Sequence, residues 1–177
     1  MTDEKRVEQA LQFAREKHKG QLRIGGDEYI THPMAVAEIV RQKGYGIDVQ
    51  IVALFHDLLE DTDATEEEIV FYGNEEILKA VRLLTKQKDY DMAEYVAGIR
   101  QNETAFAVKG ADRLHNLRCA VVADTDFKRK YIFETVDWYL DFSSEIPKAV
   151  KALAESLDTP LVELSSLYEP IETWKIK

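Results

Sequence analysis

The segment Ile51-Val52-Ala53-Leu54-Phe55-His56-Asp57-Leu58-Leu59-Glu60-Asp61 decides how this chain is read. A helix turns about 100° per residue, so with His56 at zero Glu60 falls at roughly 40°, Asp57 at roughly 100° and Asp61 at roughly 140°. Ile51, Val52, Leu54, Phe55, Leu58 and Leu59 fill the opposite arc. The spacing predicts one helix, capped by Asp48, with an oily side that packs inward and an acidic side that carries an imidazole. Three carboxylates at this range repel one another, and a bound cation is the simplest reason to keep them together. Glu60 and Asp61 also oppose the macrodipole at the helix C-terminus, so they are read as functional rather than as a solvated helix end.

On either side of this segment the chain continues as helix after helix. Val7, Ala10, Leu11 and Ala14 recur at helical spacing behind Thr2 or Asp3 as N-cap, and the helix ends near His18-Lys19-Gly20. Gly20, Gly25 and Gly26 break the pattern over residues 20–31, which reads as a loop or short hairpin. Pro33 suits the first turn of a helix over 33–43 that Gly44 and Gly46 terminate, and it should hold His32 extended. Thr65 with Glu68 reads as a capping box for a helix to about residue 72, and Asn74 starts another over 75–85. Residues 90–101 and 104–119 make two more, a long aromatic-rich helix covers 127–145, and Pro147 and Pro160 punctuate the last two. The expectation is one all-α domain over residues 1–177.

Composition narrows the functional classes. A formal net charge of -10 argues against non-specific nucleic-acid binding and against adsorption to an acidic membrane surface. It leaves room for a small anionic ligand, because a metal and a few basic residues can reverse the local field. Cys119, the only cysteine, excludes an intramolecular disulfide and a thiolate cluster. The polar start Met1-Thr2-Asp3-Glu4-Lys5 lacks a signal-peptide pattern, and no apolar run is long enough to span a bilayer, so a cytoplasmic location is expected. Aromatic residues of the carboxy-terminal helices are candidates for a homodimer interface. Asp63, Glu66-Glu67-Glu68, Lys86 and Lys88 read as capping and surface charges.

The four histidines, His18, His32, His56 and His115, all lie beside acidic, glycine-rich or amide-bearing segments. His56 and Asp57 are adjacent, and Asp112 shares a helix face with Asn116 at i,i+4. Two imidazoles and two carboxylates form a hard-to-borderline ligand set that suits Mn²⁺, Fe²⁺ or Zn²⁺ and is a poor match for calcium. A water activated by such an ion, a carboxylate from the Glu60/Asp61 pair to orient or deprotonate it, and Arg23 or Lys19 against phosphoryl oxygens would make a coherent hydrolytic site.

His32, then His56-Asp57, then Asp112 resembles the H…HD…D signature of HD-domain metal phosphohydrolases. One branch is closer. His18-Lys19-Gly20-Gln21-Leu22-Arg23, Tyr29-Ile30-Thr31-His32-Pro33, His56-Asp57-Leu58-Leu59-Glu60-Asp61-Thr62 and Ala111-Asp112-Arg113-Leu114-His115-Asn116-Leu117-Arg118 resemble, in order, the hydrolase domain of the RelA/SpoT alarmone enzymes, over residues of about 4 to 120. The resemblance implies an all-α HD-domain helical bundle that binds one divalent metal, Mn²⁺ before Fe²⁺, Zn²⁺ or Ni²⁺. It implies removal of the 3′-pyrophosphate from ppGpp or pppGpp to give GDP or GTP. Carried onto this chain, His32, His56, Asp57 and Asp112 would be the ligands and Glu60 and Asp61 the catalytic pair. Asn116, Arg23 and Tyr29 would contact the nucleotide.

Arg23-Ile24-Gly25-Gly26-Asp27-Glu28-Tyr29 departs from the family's Arg-x-Ser-Gly-Glu-Pro-Tyr, and Gly110 stands where leucine is usual. Residues 121–177 carry no clear family motif, so the expected type is a stand-alone small alarmone hydrolase without synthetase activity. The altered loop keeps two alternatives open. One is an HD phosphohydrolase for another nucleotide or phosphomonoester. The other is a module that binds a nucleotide without turning it over.

Overall fold

Capping chemistry sets most of the helix boundaries in this computed structural model, which describes residues 2–23 and 25–157. Thr2 accepts from the backbone N–H of Lys5 and opens α1, Asp3–Lys17. Thr65 and Glu68 form the reciprocal capping box of α5, Glu66–Tyr72, and Asn74 accepts from Ile77 N–H to open α6, Glu75–Leu84. Asp91 caps α7, Met92–Arg100, and α8 runs Glu103–Cys119. Among the described residues the regular elements are all helical, with one isolated antiparallel bridge, Leu22 to Glu28. That bridge closes the expected hairpin-like loop, whose tip holds Gly25 at φ +108° and Gly26 at φ +94°. Both angles lie where a side chain would clash with the backbone, which is why glycine occupies the tip.

The chain divides into two compact units, Met1–Asp112 and Arg113–Lys177. In the first, α3, Ile47–Phe55, is the centre. It packs against α1, α2 (Thr31–Gln42) and α6. Ile51, Val52, Ala53, Leu54 and Phe55 are all buried, so this stretch is apolar all round rather than on one side. Phe13 of α1 meets Phe55 edge to face at 5.5 Å and stacks on Tyr72 of α5 at 4.3 Å. Lys17 ties α1 to Asp63 and Glu68.

Three expectations change here. The helix carrying His56 is not continuous: α3 stops at Phe55, His56 and Asp57 form a turn, and a single helical turn, α4, covers Leu58–Asp61. The His56 ring bonds the Ala53 carbonyl, and Asp57 sits at φ -102°, ψ -4°. Gly46, not Asp48, is the N-cap of α3; Asp48 lies in the first turn and pairs with Arg6 at 2.6 Å. His32 is helical rather than extended. Proline is tolerated in a first turn, where its missing N–H would have no intrahelical partner, so α2 begins at Thr31 and His32 N–H reaches the Tyr29 carbonyl.

In the second unit a 3₁₀ turn, Ala120–Val122, leads to α9, Thr125–Trp138, and α10, Ile146–Glu155, which pack together. The expected helix over 127–145 breaks after Trp138, because Asp141, Ser143 and Ser144 favour turns and the Ser143 hydroxyl accepts from Glu145 N–H. Pro147 sits in the first turn of α10, and Pro160 lies outside the described residues. Arg113, buried in this unit, lies over the Tyr131 and Tyr139 rings at 4.3 and 4.1 Å and pairs with Glu134. Tyr139 and Phe142 are buried inside the unit, while Phe127 is 39% exposed. Cys119 lies half-buried with its sulfur 3.5 Å from His115 Nε2.

Two substitutions calibrate this architecture. Phe55→Ala removes a fully buried ring and is expected to cost about 3–5 kcal/mol. Thr65→Ala removes half of a capping box and is expected to cost about 1 kcal/mol. Denaturant unfolding of both variants checks the ranking.

Candidate metal centre

Three elements of the first unit bring the four expected ligands together. The first turn of α2 supplies His32, the turn between α3 and α4 supplies His56 and Asp57, and α8 supplies Asp112. His56 Nε2 lies 3.0 Å from Asp57 Oδ2 and 3.8 Å from Asp112 Oδ1. His32 Nε2 lies 3.1 Å from Asp112 Oδ1 and 3.7 Å from Asp57 Oδ2, and the two Nε2 atoms are 3.2 Å apart. His32 and His56 are 1% and 3% exposed.

The donor chemistry fits a divalent cation. His56 Nδ1 lies 2.7 Å from the Ala53 carbonyl, an acceptor, so Nδ1 carries the proton and Nε2 turns its lone pair toward the cluster. Lone pairs and carboxylate oxygens then face one another, an arrangement that repels until positive charge enters it. Donor atoms at right angles around an ion about 2.1 Å away lie roughly 3 Å apart, close to these separations.

The same crowding and burial shift the pKa values of these groups. Burial holds His32 below the usual imidazole range. Burial also opposes charge on His56, but the Asp57 and Asp112 carboxylates outweigh it and push the group up to about 10, so a proton on Nε2 offsets the carboxylates until a cation displaces it. Both carboxylates are held below their ordinary range despite burial: Asp112 by Lys109 and the imidazoles, Asp57 by His56. Lys109 Nζ lies 2.9 Å from Asp112 Oδ2, one turn away on α8.

The acidic pair borders this cluster on exposed ground. Asp61 shares the Tyr29 hydroxyl with Asp57: the O–H lies 2.7 Å from Asp57 Oδ2 and 3.3 Å from Asp61 Oδ2. The shorter contact marks Asp57 as the principal acceptor. Burial, then the Asp57 charge, raises the Asp61 carboxyl. Glu60 Oε2 accepts from the backbone N–H of Lys86 at 2.8 Å, which ties α4 to the segment after α6.

The expected nucleotide contacts are less uniform. Tyr29 is at the cluster, and the Arg23 guanidinium lies 5.8 Å from its ring centre. Lys19 is exposed and lines a cavity of about 250 Å³ with Arg15, His18 and Glu28, whose walls include none of the four clustered residues. Lys19 follows the C-cap His18 of α1. Asn116, half-buried, sits one turn beyond Asp112 on α8.

Three neighbours were not singled out for the site by the sequence reading. Lys109 had a signal, its i,i+3 spacing from Asp112. The Lys86 contact had none, because a backbone amide carries no side-chain identity. Gln21, whose side-chain amide donates to the Asp61 carbonyl at 2.7 Å, stood in a quoted motif without a role.

Known proteins share this pattern. The model of the HD domain family matches residues 10–144. A GTP pyrophosphokinase, rsh, of Brucella melitensis is 32% identical over 96% of this chain and 23% of its own length. The bifunctional (p)ppGpp synthase/hydrolase SpoT of Escherichia coli is 34% identical over 76% of this chain and 21% of its own length. The chain therefore spans under a quarter of these curated relatives. A solved structure described as a metazoan ortholog of SpoT that hydrolyzes ppGpp matches with a TM-score of 0.69 at 23% identity, covering 85% of this chain and 94% of that one, and it supports the helical fold. With the signature residues gathered at one centre and the family model spanning most of the sequence, this chain belongs to the HD domain family.

Proposed function

We propose that this chain is a metal-dependent hydrolase that removes the 3′-pyrophosphate from ppGpp or pppGpp, giving GDP or GTP and pyrophosphate. The observation that carries the reading is the His32–His56–Asp57–Asp112 cluster, buried but for the half-buried Asp57, with the Glu60/Asp61 pair at its edge. The relatives named for guanosine 3′,5′-bis(diphosphate) chemistry supply the substrate class.

His32, His56, Asp57 and Asp112 would hold the ion; a mixed imidazole–carboxylate set suits Mn²⁺, Fe²⁺ or Zn²⁺, and the family resemblance puts Mn²⁺ first. A bound divalent ion makes water more acidic and offsets charge on phosphoryl oxygens. The chain's own groups do the rest. Water attacks the phosphorus joined to the 3′ oxygen, a new P–O bond forms as the bond to the 3′ oxygen breaks, and the 3′ oxygen takes up a proton. Asp61, raised by burial and its neighbour's charge, suits transfer of the water's proton. Glu60, fixed by the Lys86 amide, suits orientation of that water. Tyr29 holds Asp57 through its hydroxyl, and Arg23 stands over the same ring to meet the anionic substrate. Asn116 on α8 is a further candidate for nucleotide contact.

This reading carries a cytoplasmic location with it; among the described residues no helix is long and apolar enough to cross a membrane. A second reading changes the substrate. The loop tip places glycines in left-handed conformations at 25 and 26, and position 25 is where the family usually has serine. Glycine there removes the serine hydroxyl from the loop that leads to Tyr29, which favours another nucleotide.

His56→Ala or Asp57→Ala is expected to abolish both Mn²⁺ binding and pyrophosphate release, read by calorimetry and product chromatography. Glu60→Gln is expected to keep Mn²⁺ and lower kcat by about 10²–10⁴-fold. Loss of the metal in the Glu60 variant would overturn its assignment. A panel of nucleotides offered to the Mn²⁺-loaded wild type separates the two substrate readings: turnover of others but not ppGpp rejects the first.

A further inference from the structure

The proposed chemistry uses His32 and His56 and gives His18 nothing to do. Yet His18 is 2% exposed, at the end of α1, with its ring 4.7 Å from that of Tyr29. Its Nδ1 lies 2.8 Å from Gln21 Oε1. The Gln21 side-chain N–H donates to the Asp61 carbonyl, so the amide oxygen faces His18 and Nδ1 is the protonated ring nitrogen. Nε2, buried, finds no partner among the described residues. A leucine would fill this space without leaving a lone pair unsatisfied, so the ring's distinctive contribution is the bond on its other side.

That bond leads to the acidic pair. Gln21 is held from the backbone as well: its N–H donates to the His18 carbonyl at 3.0 Å and its carbonyl accepts from Tyr29 N–H at 2.9 Å. With both backbone groups committed, only the side chain can move. At its far end lies α4, one turn of four residues, too short to sustain itself by helical hydrogen bonding. The Asp61 carbonyl lies at the C-terminus of that turn, where carbonyls lack intrahelical donors, and Gln21 supplies one. Resting on the reading of Glu60 and Asp61 as the acidic pair, we infer that His18 is a positioning residue. It orients the Gln21 amide, which pins the end of α4 and so aims both carboxylates.

The test compares His18→Leu, His18→Asn and Gln21→Leu with the wild-type chain. Asparagine places an amide N–H near the position of Nδ1–H and keeps the donor; leucine keeps the volume alone. With Mn²⁺ and ppGpp, both leucine variants are expected to lose about ten- to a hundredfold in kcat, while KM and Mn²⁺ affinity stay within about twofold. His18→Asn is expected to recover most of the lost rate. Amide hydrogen exchange over residues 59–63 should quicken in the leucine variants and return toward wild type in His18→Asn. An unchanged kcat in His18→Leu, an asparagine variant as impaired as leucine, or unchanged exchange overturns the inference. If His18→Leu fails to fold, the half-buried Gln21 position carries the comparison. A wild-type chain inactive on ppGpp rejects the functional reading, and the exchange data then decide the positioning role alone.

Discussion

Lone pairs and negative charge packed against one another inside the protein are the constraint from which the rest of this molecule follows. Two imidazole nitrogens 3.2 Å apart, with carboxylate oxygens beside each, are held largely out of the reach of water. Such a cluster persists only on a rigid frame. The buried apolar run Ile51–Phe55 of α3 provides it, with α1, α2 and α6 packed around that helix, so that His56 and Asp57 emerge from the core of the first unit. Lys109 neutralises part of the charge, and the Ala53 carbonyl fixes which nitrogen of His56 faces inward. Catalytic-type groups that must meet solvent and substrate, Glu60 and Asp61, are placed just outside, on a single turn held through the Glu60 side chain and the Asp61 carbonyl.

Much of this was legible in the residues, and what was not has physical causes. Thr2, Thr65 and Asn74 announced their helices because a side-chain oxygen three residues before a bare N–H is a local interaction. The four clustered residues were legible as a set, since chemistry of that type at separated positions calls for one explanation. The break at His56-Asp57 was not. Apolar periodicity runs straight through it, while in the fold the ring of His56 reaches back to the Ala53 carbonyl where the helix ends. Residues 139–145 failed for the opposite reason: the aromatic spacing outweighed Asp141, Ser143 and Ser144, whose turn preference prevailed in the fold.

Contacts made by backbone atoms escaped entirely. Lys86 acts on Glu60 through an amide that any residue but proline would provide, and Gln21 reaches a carbonyl, so neither leaves a compositional trace. Arg113 stood in the signature without an assigned role, and it lies buried against Tyr131 and Tyr139 with Glu134 as its counter-ion. A planar guanidinium stacks between rings in a way that an ammonium does not, so its place in the second unit is one of shape as well as charge.

The solitary thiol of Cys119, half-buried against His115 on the last turn of α8, has a practical bearing. With no second sulfhydryl in the polypeptide, a maleimide fluorophore or nitroxide has a single attachment point. That point lies on the same helix as Asp112, seven positions further on, so spectroscopists gain a native reporter without first engineering a cysteine-free background.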